Sequence, residues 1–87
     1  MADLHLPSTL PPLFPDLPRR LDVDATSVRE AIDWLDERWP GLRDRLCEPG
    51  PVLRPHINVY VDRERAGLET PLEPRSRVDV LAAISGG

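Results

Sequence analysis

Lysine is missing from this chain: all 11 basic residues among its 87 are arginines. No side-chain amine is therefore available, and the protein cannot build isopeptide chains on itself through lysine. Cysteine is nearly as scarce. A single one, Cys47, excludes an internal disulfide. It lies in Leu46-Cys47-Glu48-Pro49-Gly50, which reads as a loop. An acid and a proline flank it, rather than the base or helix N-terminus that would activate a thiolate, so it reads as an incidental thiol. Long apolar runs are also lacking: none approaches the ~20 residues that span a bilayer. Met1-Ala2-Asp3-Leu4-His5 has no basic region leading into an apolar stretch, so it does not read as a signal peptide. The expectation is a cytoplasmic protein with no membrane partner. Nor is there an excess of positive charge. The formal net charge is -4 and the arginines are scattered among 15 acids, which argues against nucleic acid, whose phosphates attract clustered basic residues.

What is present suits one small globular domain, with 40% hydrophobic and 30% charged residues. The one biased stretch runs from Pro7 to Pro18 and holds Pro7, Pro11, Pro12, Pro15 and Pro18. Proline lacks a backbone N–H and disfavours helix in the residue before it, so this segment is expected to be a stiff loop. Leu10, Leu13 and Phe14 are expected to turn inward from it.

Ahead of the loop, Ala2, Leu4 and Leu6 alternate with Asp3 and His5, the period of a strand with one wet face. Beyond it, Leu21 and Val23 alternate with Arg20, Asp22 and Asp24, and the two strands are expected to pair antiparallel. Ser27-Val28-Arg29-Glu30 fits a capping box, in which the Ser hydroxyl accepts from the Glu30 N–H and the Glu30 side chain reaches back. Val28, Ile32, Leu35 and Trp39 recur at helical spacing, with Ala31 beside them and Trp34 on the flank. Asp33, Asp36 and Glu37 read as the solvated face, and Pro40-Gly41 stops the helix. Leu42 to Leu46 adds one further turn. His56 to Val61 is a strand with Ile57, Val59 and Val61 on one face and His56, Asn58 and Tyr60 on the other. Asp62 to Gly67 reads as a charged turn, and Leu68 and Leu72 flank an irregular stretch. Arg77 to Leu81 is the last strand. One helix on one face of a mixed sheet is an α+β layer architecture, and this element order suggests the ubiquitin-like β-grasp.

After Val80 the character changes. Leu81-Ala82-Ala83-Ile84-Ser85-Gly86-Gly87 carries no charge and ends on two glycines. The expected division is a folded domain over 1–81 and a tail over 82–87. A terminal carboxylate is a poor electrophile at neutral pH and reacts only once activated, typically as a mixed anhydride with AMP. Activation inside another protein requires a thin tail, and glycine, with no Cβ, allows close approach. Fully extended, residues 82–87 span roughly 20 Å, enough to enter a buried nucleotide site while the body stays outside. Tyr60 and Leu81 both point away from the helix-covered face. On neighbouring strands they would form an exposed apolar patch beside the tail, the usual mark of a contact site. His5 and His56 read as outward strand residues with no acid–base partner and no metal-ligand spacing. No metal site, nucleotide-binding glycine loop or catalytic triad order is visible.

Several stretches resemble the MoaD/ThiS family of ubiquitin-like sulfur carriers, as in the small subunit of molybdopterin synthase. They are Arg54 to Asp62, Trp39 to Leu46, Val78 to Gly87 and Leu6 to Leu10. The resemblance implies a sulfur carrier rather than an enzyme. An adenylating enzyme of the ubiquitin-activating type would use ATP to activate the Gly87 carboxylate, with Gly86, Ser85 and Ile84 as the tail that enters it and Tyr60 and Leu81 as docking residues. The chain itself would bind no cofactor. A persulfide protein or sulfide would supply the sulfur, giving a C-terminal thiocarboxylate. The acceptor would be a synthase such as the molybdopterin synthase large subunit, thiazole synthase or cysteine synthase. A ubiquitin-like protein modifier joined to targets through Gly87, or a non-catalytic β-grasp binding module, are the alternatives.

Overall fold

The computed structural model describes residues 1–7 and 14–82. A five-stranded mixed sheet forms from β1 (Ala2–His5), β2 (Arg20–Val23), β5 (Ile57–Val61), β6 (Glu64–Ala66) and β7 (Arg77–Ala82), in the order β2-β1-β7-β5-β6. Between β2 and β5 come α1 (Val28–Arg38), the short α2 (Leu42–Leu46), and a two-stranded hairpin of β3 (Cys47–Glu48) and β4 (Val52–Leu53). β1 pairs antiparallel with β2 and parallel with β7, and β7 pairs antiparallel with β5. The last strand is thus the central one, and the architecture is the expected β-grasp.

Period-two alternation decides which face is dry. Ala2, Leu4, Val23, Ile57, Val59, Val78 and Val80 are buried against Val28, Ala31, Ile32 and Leu35 of α1. Leu6 and Leu17 close the core at the loop, and Phe14 packs half-buried against it. Leu17 was not among the expected plugs, whereas Leu10 and Leu13 lie outside the described residues.

α1 starts as expected, with Ser27 Oγ accepting from the Glu30 N–H at 3.1 Å. The reciprocal bond lands one residue further back. The Glu30 carboxylate accepts from the Thr26 N–H at 3.2 Å and the Thr26 hydroxyl at 2.8 Å. The free N–H groups of Val28 and Arg29 donate to the carbonyls of Thr70 and Leu68, which ties the helix start to the stretch before β7. Gly41 turns the chain at φ +97°, a left-handed geometry that favours glycine.

Three expectations need correction. Asp36 is not merely a solvated side chain: its Oδ1 accepts from the backbone N–H groups of Gly41 and Arg43 and caps α2. Cys47 sits in β3 and is buried at 6% exposure, because the Pro49-Gly50-Pro51 turn folds Leu53 back opposite it. Asp62 to Gly67 is a hairpin, not only a turn. Asp62 and Arg63 adopt φ of 50° and 72°, and Glu64 to Ala66 pair with β5 as an edge strand.

Candidate functional site

The face of the sheet away from α1 carries no covering element among the described residues. Strand register places its side chains in rows. Across the middle run Arg20, His5, Asp79, Tyr60 and Arg65 on β2, β1, β7, β5 and β6. The next row toward the end of β7 holds Leu81, directly opposite Asn58. Tyr60 and Leu81 are therefore diagonal neighbours on adjacent strands, within reach of one another as long side chains. Leu81 is 50% exposed and Tyr60 is half-buried.

The charges around them are largely paired within the chain. Arg20 grips the Asp3 carboxylate at 3.0 and 3.2 Å, Arg77 donates to Asp79 at 3.0 to 3.2 Å, and Arg65 donates to Asn58 Oδ1 at 3.0 Å. The hydrogen bond from Arg20, then that from His5, holds the Asp3 carboxyl below the ordinary carboxylate range. Asp79 in turn pushes the Arg77 guanidinium up, through its hydrogen bonds and its charge. The result is a face whose Asp3 and Asp79 carboxylates are paired within the chain, with a narrow apolar lip at Leu81 and Tyr60.

His5 differs from its expected description. Its Nε2 lies 3.0 Å from Asp3 Oδ2, so it does have an acid partner. The signal was available, since residues two apart on a strand share a face. His56 stands exposed in the turn ahead of β5 rather than in the strand.

β7 continues to Ala82, which still pairs with Ile57, one residue into the expected tail. Ala82 is thus the last described residue of the central strand, next to the Leu81 lip. The expected site residues Ile84, Ser85, Gly86 and Gly87 lie outside the described residues.

On the opposite side, a cleft of about 260 Å³ opens beside Cys47, lined among others by Arg29, Ile32, Arg43 and Leu68. Its arginines are occupied: Arg29 pairs with Glu69, and Arg43 with Asp33 and Asp36. Burial pushes the Cys47 thiol up, which keeps it protonated. Among the described residues, no cluster of three metal-ligating side chains occurs, and no helix is long and apolar enough to cross a membrane.

The model of the ThiS family matches residues 13–87. No curated protein sequence gives a significant match. Among solved structures, a chain of the Amycolatopsis orientalis BexX/CysO complex is 26% identical, with a TM-score of 0.87 over 100% of both chains. SAMP1 from Haloferax volcanii is 28% identical, with a TM-score of 0.76 over 99% of this chain and 98% of that one. Mycobacterium tuberculosis CysO shares the fold at a TM-score of 0.83 and 23% identity, over 97% of this chain and 100% of that one.

Proposed function

This chain belongs to the ThiS family, and we propose that within it the protein is a sulfur carrier whose working group is the Gly87 carboxylate. A carboxylate oxygen attacks the α-phosphorus of ATP inside an adenylating enzyme of the ubiquitin-activating type, and pyrophosphate leaves. Sulfur then attacks the carbonyl carbon and AMP leaves. Sulfide gives the thiocarboxylate directly. A persulfide gives an acyl disulfide, whose S–S bond a thiol then cleaves. The thiocarboxylate passes its sulfur to an acceptor synthase. The chain supplies shape and a docking face, and its partners supply the catalysis.

The observation that carries this reading is the course of the chain at its C-terminal end. The family match runs through Gly87. Ahead of it, β7 is the central strand, flanked on its open face by an apolar lip of Leu81 and Tyr60. A tail leaving from that point can enter a deep site while the lip seats the body on the rim. The Amycolatopsis relative, captured in a complex, supports a protein that works against a partner.

The likeness to SAMP1, a small archaeal modifier protein, favours a second reading, in which activated Gly87 is joined to an amine of another protein. Both begin with the same adenylate. Incubation with the adenylating enzyme, ATP and a sulfur donor separates them from an inert binding module: intact mass should show one oxygen replaced by sulfur, mapped to Gly87 by fragmentation. Deleting Gly86 and Gly87 should abolish the exchange while the fold persists. Sulfur transfer that survives the deletion would refute the carrier reading. Recovery of the chain covalently attached to other proteins would favour the modifier.

A further inference from the structure

We propose that the surface receiving Leu81 and Tyr60 is an apolar socket with a carboxylate on its rim, and that Arg65 binds that carboxylate. The inference deepens the proposed function and rests on its reading that the lip seats the body on a protein partner.

Strand register places Arg65 at the lip. It lies directly opposite Tyr60 in the pairing of β5 with β6. Its guanidinium reaches along β5 into the next row, where Nη2 donates to Asn58 Oδ1 at 3.0 Å. Asn58 lies directly opposite Leu81. Arg65 therefore flanks both members of the lip, and Asn58 anchors its cationic head there.

The other arginines of this face differ in their partners. Arg20 is bound to the Asp3 carboxylate and Arg77 to the Asp79 carboxylate. An incoming acid would meet each of them as a pair with little net charge. The partner of Arg65 among the described residues is a neutral amide oxygen, which fixes the guanidinium without cancelling its charge. The nearby acids do not change this. Glu64 alternates to the other face of β6, opposite Val61. Asp22, the exposed acid of the open face, stands on β2 at the far edge of the sheet from β6. His56, exposed ahead of Ile57, can add only positive charge. The stretches 8–13 and 83–87 contain no charged side chain. In the proposed function the Gly87 carboxylate is inside the partner.

A full positive charge beside an apolar pair defines the chemistry of the occupant. The chain carries a net charge of -4, so overall attraction does not draw an acidic partner to it, and recognition is local. A basic rim would set like charges together in a contact from which water is expelled. An apolar rim would bury the guanidinium unanswered. A carboxylate satisfies both charge and shape, because the planar fork of N–H donors can take it in a bidentate grip.

The full chain is titrated calorimetrically into the adenylating enzyme at low and high salt. Arg65→Gln should weaken binding about tenfold at low salt, and the gap should narrow at high salt. Arg65→Lys, which keeps the charge, should retain most of the affinity. Arg20→Gln and Arg77→Gln should stay within about threefold of wild type, since their charges are already paired on an exposed face. The urea midpoint confirms that each variant is folded. A second measurement needs no enzyme. The full chain is titrated by heteronuclear NMR with two synthetic peptides that share an aliphatic and aromatic centre but are flanked by glutamate or by glutamine. The glutamate peptide should shift the Arg65, Asn58 and Leu81 signals at lower concentration, and Arg65→Gln should erase the difference. ATP–pyrophosphate exchange judges the carrier reading separately: without exchange that reading fails, and the peptides still decide the role of Arg65. Wild-type affinity in Arg65→Gln, an equal loss in Arg20→Gln and Arg77→Gln, or two peptides that bind alike would each overturn the proposal.

Discussion

Asp36 holds Arg43 twice, accepting from its backbone N–H at 3.0 Å through Oδ1 and from its guanidinium at 2.9 Å through Oδ2. The same Oδ1 accepts from the Gly41 N–H at 3.1 Å. Gly41, at the N-cap position of α2, has no side chain to do this itself. Asp36→Ala should therefore cost about 1–2 kcal/mol, the range for loss of a helix cap. Urea denaturation gives the measurement. Asp36→Asn, which keeps an acceptor, should recover part of the loss.

The β5–β6 turn holds two non-glycine residues at positive φ, Asp62 at 50° and Arg63 at 72°. A side chain in that region costs roughly 1–2 kcal/mol. Replacing it with glycine restores part of this, less the ~0.5–1 kcal/mol of added unfolded-state freedom. Arg63→Gly should stabilise the fold by up to about 1 kcal/mol, a rise in Tm of several degrees. Asp62→Gly should not show the same gain, because Asp62 Oδ1 also accepts from the Arg77 N–H at 2.9 Å.

Acid should weaken the contact on the open face in a defined direction. Asp3 titrates lower in the folded chain than its ordinary 3.8 because Arg20 and His5 bind its ionised form. The unfolded chain therefore takes up the proton first as pH falls. The stabilisation is complete above about pH 4 and disappears as pH drops through the lower folded value. Asp3→Asn should be less stable than wild type near neutrality, and the gap should close below that window. A gap independent of pH would show that the ion pair contributes nothing.

Binding to the adenylating enzyme should depend on the apolar lip. Leu81→Glu and Tyr60→Glu should each weaken affinity by about tenfold or more, because an unpaired charge at a desolvated interface centre is poorly tolerated. Leu81 is half-exposed, so its substitution should leave the urea midpoint nearly unchanged. Equal affinity for both variants and the wild type would remove the lip from the docking surface.

Much of this architecture is written locally. Ser27 and the spacing of Val28, Ile32 and Leu35 specify α1 within one segment, and alternation in 2–6, 57–61 and 77–81 specifies three strands. The features that escaped a reading of the chain depend on residues brought together from a distance or on turns with atypical composition. Asp36 looks like any exposed helical acid until Pro40-Gly41 folds α2 back over it. Cys47 reads as loop because prolines come after it, yet those prolines frame the hairpin that buries it. The Asp62-Arg63 turn lacks the glycine or asparagine that marks a tight hairpin, so β6 was hidden in a charged run. The apolar lip was only half legible. Alternation put Tyr60 and Leu81 on one face, whereas their diagonal offset came from the register of β5 against β7.

The position of β7 bears on the birth of the protein. A ribosome releases β1, β2, α1, β5 and β6 before the strand that joins them, so β1–β2 and β5–β6 emerge as two halves of a sheet with no seam. Each exposes an unpaired edge and an unfilled share of the core until residues 77–82 appear. Val78 and Val80, both nearly fully buried, then complete the interior in one step. A chain cut short anywhere before β7 cannot finish this closure and is left open to proteases. Completion of the fold thus certifies that synthesis has passed Ala82.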